Sequence, residues 1–254
     1  MKKILVIGAS GHTGSTGPLR GHSQKFTSRV IRVGLLRFFQ CLVFLFSMAA
    51  NIVVGQPGAL DNGVGSNGIV LSNISSLSSV AMGILVQPDG QIVAAGTVAS
   101  NPHSNIGLVR YFPNGSLDNS FGFGGIATTN SSIFLSGGMC LLQSDNKIVV
   151  AGNVKSGSDN EFALLRFGSD GTLDSSFGTN GQVLTNIISG GASSEDLLAI
   201  AIQTDGNILA AGRTAGGNAG DMGIGREDPK GAGDSSFGSS GSLIHAFSTL
   251  SDQS

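Results

Sequence analysis

Three ten-residue stretches of this chain are nearly the same: QPDGQIVAAG (Gln87 to Gly96), QSDNKIVVAG (Gln143 to Gly152) and QTDGNILAAG (Gln203 to Gly212), offset by 56 and 60 residues. Self-similarity at such a period means one small supersecondary unit repeated along the chain, each copy burying its apolar faces against its neighbours. The register holds across whole units, because Arg110, Arg166 and Arg226 fall at the same two offsets. A second box follows in each unit: LDNSFGFGG (Leu117 to Gly125), LDSSFGTNG (Leu173 to Gly181) and GDSSFGSSG (Gly233 to Gly241). A weaker copy, LDNGVGSNG (Leu60 to Gly68), precedes them.

The unit parses into short antiparallel strands. In the first copy, Val80 to Gln87 is apolar, Pro88, Asp89 and Gly90 form a turn, and Gln91 to Val98 returns as the second arm of a β-hairpin. Asn105 to Phe112 reads as a third strand, Pro113, Asn114 and Gly115 as another turn, and Gly125 to Thr129 as a fourth strand. The segment with the best helical pattern, Asp196 to Gln203, sits where the other copies have a strand. Four short strands per repeat is the pattern of a propeller blade. The fold expected is therefore all-β: tandem four-stranded repeats over residues 56–254, forming a partial or incomplete β-propeller. Propellers close with four to eight blades, and about three units are too few for a ring. Unpaired edges and uncovered apolar faces should then make residues 56–254 associate or lose stability.

The hairpin of the form PDG-x-I-V-x-A-G, followed by the R-F-x-x-D-G-x-L-D-x-x-F-G box, resembles the delta-60 repeat family over residues 58–243. That resemblance implies β-propeller repeats of the kind predicted in large secreted or surface-exposed bacterial proteins of unknown activity. The third unit departs from the pattern, with Glu227 in place of the aromatic seen as Tyr111 and Phe167, and Gly233 in place of Leu. Both departures put the packing of that unit in question.

The recurring polar residues have structural readings. Asp89, Asp145 and Asp205 lie at hairpin turns, where Asp bonds its own backbone. Asp61, Asp118, Asp174 and Asp234 precede small polar residues and Gly, as in a local cap. Phe121, Phe177 and Phe237 read as core anchors between units. Arg110, Arg166 and Arg226 interrupt apolar strands, and a lone buried charge is costly, so each should meet a repeated acid or carbonyls. Cys140, beside Leu141 and Leu142, reads as a small buried apolar residue.

Charge divides the chain. Residues 1–55 carry seven basic residues and no acid, whereas residues 56–254 carry seven basic residues and all 16 acids. An acidic array repels phosphate backbones, which excludes nucleic acid as its expected partner. Within the basic part, Arg29, Arg32 and Arg37 precede an apolar run from Phe38 to Ala50 broken only by Gln40 and Ser47. That order predicts a secretory signal over residues 29–55, with an uncleaved membrane anchor as the alternative. The mature protein is expected to begin between Ala50 and Gly58, secreted or at the cell surface, touching the membrane only through this segment. Cys41 would leave with the signal, and Cys140 alone cannot form an intramolecular disulfide.

Residues 1–28 look like a foreign extension. MKKILVIGASGHTG places a strand, Ile4 to Ile7, before Gly8, Gly11 and Gly14, and resembles the start of NAD(P)-binding proteins of the extended and atypical short-chain dehydrogenase group. The resemblance implies backbone amides at a pyrophosphate, and it supports an alternative reading as an oxidoreductase. That chemistry needs a helix to begin at the glycines and an acid about 20 residues further on. Instead Ser15, Thr16, Gly17 and Pro18 follow, and the first acid is Asp61. No cofactor is expected. His12, His22, His103 and His245 are far apart, and no catalytic or metal-binding set stands out. The leading expectation is a structural or binding module without chemistry of its own, meeting a protein or glycan ligand or a second copy of itself.

Overall fold

The computed structural model describes residues 4–7, 59–75, 78–100, 104–129, 134–157, 159–187, 194–215 and 220–245. The signal-like segment 29–55 and the glycines Gly8, Gly11 and Gly14 lie outside the described residues. Contacts divide the chain into one unit of Met1–Gly8 with Asn62–Ser254 and another of Ala9–Asp61. Of the second, only residues 59–61 are described.

The first contains two opening strands, β1 (Ile4–Ile7) and β2 (Ile69–Ser72), followed by three complete repeats. Repeat 1 holds β3 (Ser79–Val86), β4 (Ile92–Ala99), β5 (Ser104–Tyr111) and β6 (Ile126–Thr128). Repeat 2 holds β7 (Phe134–Leu142), β8 (Ile148–Ser156), β9 (Asp159–Phe167) and β10 (Gln182–Thr185). Repeat 3 holds β11 (Ser194–Ile202), β12 (Ile208–Ala215), β13 (Gly220–Glu227) and β14 (Ser242–His245). Each repeat is an antiparallel four-stranded meander. Among the described residues, β-pairing between successive repeats is confined to Ser104 with Phe134 and Asn160 with Ser194. The fold is all-β, with tandem four-stranded repeats as in a partial propeller, as the sequence pattern predicts.

The hairpin motif has a geometric cause. The first strand of every repeat carries a bulge at the same place, between Ala81 and Gly83, Gly137 and Met139, and Leu197 and Ala199. The bulge presses one strand's backbone against the last glycine of the motif. A Cβ on Gly96, Gly152 or Gly212 would run into the carbonyl oxygen of Val80, Ser136 or Asp196. Only glycine tolerates that approach. The turn aspartates act as expected: Oδ1 of Asp89, Asp145 and Asp205 accepts from the amides of Gln91, Lys147 and Asn207 at 3.0, 3.2 and 3.0 Å.

The core lies between repeats. One cluster joins Val93, Ala95, Leu108 and Phe121 of repeat 1 to Ile148, Val150, Leu165 and Phe167 of repeat 2, with Cys140 and Leu142 packed against it. A second joins Val149, Ala151, Leu164 and Phe177 of repeat 2 to Ile208 and Ala210 of repeat 3, with Ile200 and Ile202 against it. A third sets Val64 and Val70 against Ala94, Val109 and Tyr111 of repeat 1. Cys140 is half-buried rather than fully so, and burial pushes its thiol up to about 12.

One sequence expectation needs revision, and one alternative reading finds no support. Repeat 3 packs in spite of its departures: β13 pairs with β12 through Glu227, whose side chain lies buried and accepts from the Thr185 hydroxyl at 2.7 Å. The Ile4–Ile7 strand, which only the alternative oxidoreductase reading assigns to a dinucleotide fold, lies antiparallel to β2, whereas that fold needs parallel strands joined by a crossover. Its register is that of a third repeat strand beside a fourth. Ile7 faces Ile69 and Val6 faces Val70, as Val109 faces Ile126 and Leu108 faces Ala127 in repeat 1.

Candidate functional site

The third strand of each repeat carries its arginine one residue before its end, and the box that follows folds back so that its aspartate reaches it. The Asp118 amide donates to the Arg110 carbonyl at 3.0 Å, and those of Asp174 and Asp234 do the same to Arg166 and Arg226. This return brings the side chains together. Arg110 Nε meets Asp118 Oδ2 at 2.7 Å, and Arg166 Nε meets Asp174 Oδ2 at 2.9 Å. The other carboxylate oxygen of Asp118 accepts from the Ser120 amide at 3.0 Å and from its hydroxyl at 2.6 Å, a pattern repeated with Ser176 and Ser236. The aspartate therefore caps the box and pairs with the arginine at once. Burial alone would raise the Asp118 carboxyl, but the bonds from Ser120 and Arg110 outweigh it and hold it below its ordinary range. The Ser176 hydroxyl, with Lys147 and Arg166 beside it, holds Asp174 far down, and Ser236 with Arg226 lowers Asp234.

Each guanidinium also lies over the phenylalanine of its box, at 4.6, 4.6 and 4.5 Å from the ring centres of Phe121, Phe177 and Phe237. Such stacking adds roughly 0.5–2 kcal/mol to the pairing. Phe121 and Phe177 are fully buried, as expected of anchors between units, whereas Phe237 is only half-buried.

The arginines then reach out of their own repeat. Arg110 Nη1 donates to the Ser169 carbonyl and Arg166 Nη1 to the Pro229 carbonyl, both at 2.6 Å and both in a turn of the next repeat. Beside these bonds the Gly122 amide donates to Asp170 at 2.7 Å and the Gly178 amide to Lys230 at 2.9 Å. The turn glycines Gly171 and Gly231, at φ of 86° in both, pack directly on Phe121 and Phe177. One composite latch thus joins repeat 1 to 2 and repeat 2 to 3.

Above each latch opens a cleft between neighbouring hairpin turns. The first, of about 450 Å³, is lined by Gln87, Asp89, Gln91, Arg110, Asn146 and Asp170. The second, of about 670 Å³, is lined by Gln143, Asp145, Lys147, Arg166, Asp205 and Lys230. The glutamines opening the first two hairpin motifs, Gln87 and Gln143, are buried in the lining of the first and second cleft. Gln143 bonds Arg166 and the Pro229 carbonyl, but Gln87 Oε1 is buried with no hydrogen-bond partner. Sequence reasoning gave these glutamines no role, although their recurrence at the repeat offset was the available signal. It also did not foresee that one aspartate would serve as both cap and ion-pair partner. Among the described residues no group of three or more His, Cys, Asp or Glu is placed to hold a metal ion. No helix among them is long and apolar enough to cross a membrane. Of the histidines only His245 is described.

A family model described as "Domain of unknown function (DUF5122) beta-propeller" matches residues 87–121 and 143–177. Each match runs from the hairpin glutamine to the box phenylalanine and so spans one arginine and its aspartate. No curated protein and no solved structure matches the chain. The chain therefore carries β-propeller repeats, similar to that family across the hairpin, third strand and box of repeats 1 and 2.

Proposed function

We propose that this chain is a secreted or cell-surface repeat protein that acts as a structural or binding module with no chemistry of its own. The observation that carries this reading is the fate of the recurring polar groups. Arg110, Asp118 and Ser120, and their counterparts in repeat 2, are spent on closing the repeat and joining it to the next. What is left for a ligand is the row of equivalent clefts. Their floors and rims offer carboxylates, amides and an unpartnered Gln87 Oε1, suited to a hydroxyl-bearing glycan or a polar protein segment. The delta-60 resemblance and the signal-like run support an extracytoplasmic setting.

Two measurements test this. The first is the mass of the N-terminus in the exported fraction, expected to begin between Ala50 and Gly58; an intact Met1 terminus confined to the cytosol would overturn it. Such a cut would also take β1 away from β2 and leave that edge open. The second is a glycan and cell-surface polymer screen with the purified chain. Binding lost on Gln87→Leu would assign the first cleft, and no binding by any probe would restrict the protein to a structural role.

A further inference from the structure

Repeat 3 repeats the outgoing half of the latch, but among the described residues nothing completes it. Leu209, Ala211 and Ile224 are half-buried. Their counterparts, Val93, Ala95 and Leu108 in repeat 1 and Val149, Ala151 and Leu164 in repeat 2, are at most 1% exposed. Among the described residues no glycine turn lies on Phe237 as Gly171 and Gly231 lie on Phe121 and Phe177.

The arginine registers the difference most clearly. Arg110 and Arg166 turn Nε to their aspartate and aim Nη1 at the neighbour's carbonyl. Arg226 turns Nη2 to Asp234 at 2.7 Å instead, and its Nε is buried without a hydrogen-bond partner. A buried, unmet guanidinium donor is destabilising and is a standing preference for an acceptor.

We propose that this end of the array, built from Leu209, Ala211, Ile224, Arg226, Phe237 and Gly238, is a docking surface for one further repeat unit of the same kind. The recognition element is a turn with a glycine at positive φ and two free carbonyls before it, as in Ser169-Asp170-Gly171 and Pro229-Lys230-Gly231. The first carbonyl accepts from Arg226, the second accepts from the Gly238 amide, and the glycine lies on the Phe237 ring. A second copy of this chain does not supply that turn. Its turns at Gly171 and Gly231 are held by its own repeats, and the one at Asn114 already accepts from the Gly65 amide at 2.9 Å, with Gly115 against Val64. The occupant is therefore an additional repeat. This gives the binding-module reading a partner class and rests on that reading, but at a surface apart from the two clefts, so a failed glycan screen would leave it standing.

The test extends the full chain with a copy of residues 195–245 placed directly after Ser254, which keeps the 60-residue offset. Arginine labelling by phenylglyoxal, read by peptide mass, compares the natural and extended chains, with Arg166 as the internal standard for a folded array. Arg226 is expected to label readily in the natural chain and about tenfold more slowly in the extended one. Valine in place of the appended copy's glycine corresponding to Gly231 should restore the fast rate. A second extension, a copy of residues 135–187, keeps the test open should the first not fold. Unchanged Arg226 labelling in both extended chains, with Arg166 still protected, overturns the proposal.

Discussion

The guanidinium of Arg166 donates to the Pro229 carbonyl at 2.6 Å, across a boundary between two repeats. The same group holds Asp174 at 2.9 Å and Ser176 at 3.2 Å within its own repeat, and lies on Phe177. One side chain therefore fixes the fold-back of the box and the placement of the next repeat. That coupling is what turns independent meanders into an array with nearest-neighbour stability.

Arg166→Ala should lower stability by about 1–3 kcal/mol, because it leaves Asp174 with Lys147 as its cationic partner, at 3.1 Å, and strips the Pro229 carbonyl of its donor. Arg166→Lys should recover little, since a point charge cannot serve a carboxylate, a hydroxyl and a carbonyl in one plane. Arg226→Ala, with both partners about one-fifth exposed and no carbonyl of a further repeat to lose among the described residues, should cost clearly less than Arg166→Ala. Urea unfolding of the three variants checks the order.

The strands, turns and four-strand unit were legible in the sequence because each rests on local patterns that recur: alternating apolar residues, Asp-Gly turns and a fixed offset. So was the need of Arg110 and Arg166 for partners, which follows from charge in an apolar strand. The identity of those partners was not. Ser169 and Pro229 act through backbone carbonyls, and a backbone carbonyl leaves no mark on residue type. Glu227 in an aromatic position put the packing of repeat 3 in question, but Thr185 from the preceding repeat supplies a bond that pattern reading within one unit does not reach.

Glu227 makes stability depend on pH in an unusual direction. Burial pushes its carboxyl above the ordinary 4.5, only partly offset by the Thr185 hydroxyl. The folded protein thus holds the proton more tightly than the unfolded chain, and the stability it contributes is full below 4.5 and lost as pH rises through the folded value. Glu227→Gln should raise the unfolding midpoint at pH 7, by about 1–3 kcal/mol in stability, and change little near pH 4. Thermal melts at the two pH values measure the difference.

The box aspartates act in the opposite sense. Asp118 and Asp174 are held below 3.8 in the folded state, so their contribution is present above that value and lost as pH falls through the folded ones. Acid unfolding should therefore begin below about pH 4. Asp174→Asn should flatten the acid limb while lowering stability at pH 7. Circular dichroism across an acid titration follows both effects.

Gly171 tests the latch from its other side. Its φ is 86°, and an added Cβ would sit 2.9 Å from both the Gly122 amide nitrogen and the Phe121 ring. Gly171→Val combines backbone strain with overpacking and should cost about 3 kcal/mol or more. Gly157, also at positive φ but with open space around it, should tolerate Ala at about 1–2 kcal/mol. Denaturant unfolding of the pair separates contact from strain.

The incoming end of the array carries the clearest cause for self-association. Ile84 and Val86 occupy the positions at which Cys140 and Leu142 in repeat 2, and Ile200 and Ile202 in repeat 3, pack on the preceding hairpin. No such hairpin precedes repeat 1 among the described residues, and the two side chains stand 55% and 63% exposed, beside Met82 at 54%. A row of large apolar groups on a first strand is a surface that water disfavours and a like surface can cover. The chain is expected to associate through it in a concentration-dependent way. Ile84→Thr with Val86→Lys should shift light scattering to the monomer mass without lowering the melting temperature, because neither side chain is buried in the monomer. A wild-type chain that stays monomeric at high concentration and melts sharply would show that this edge needs no cover.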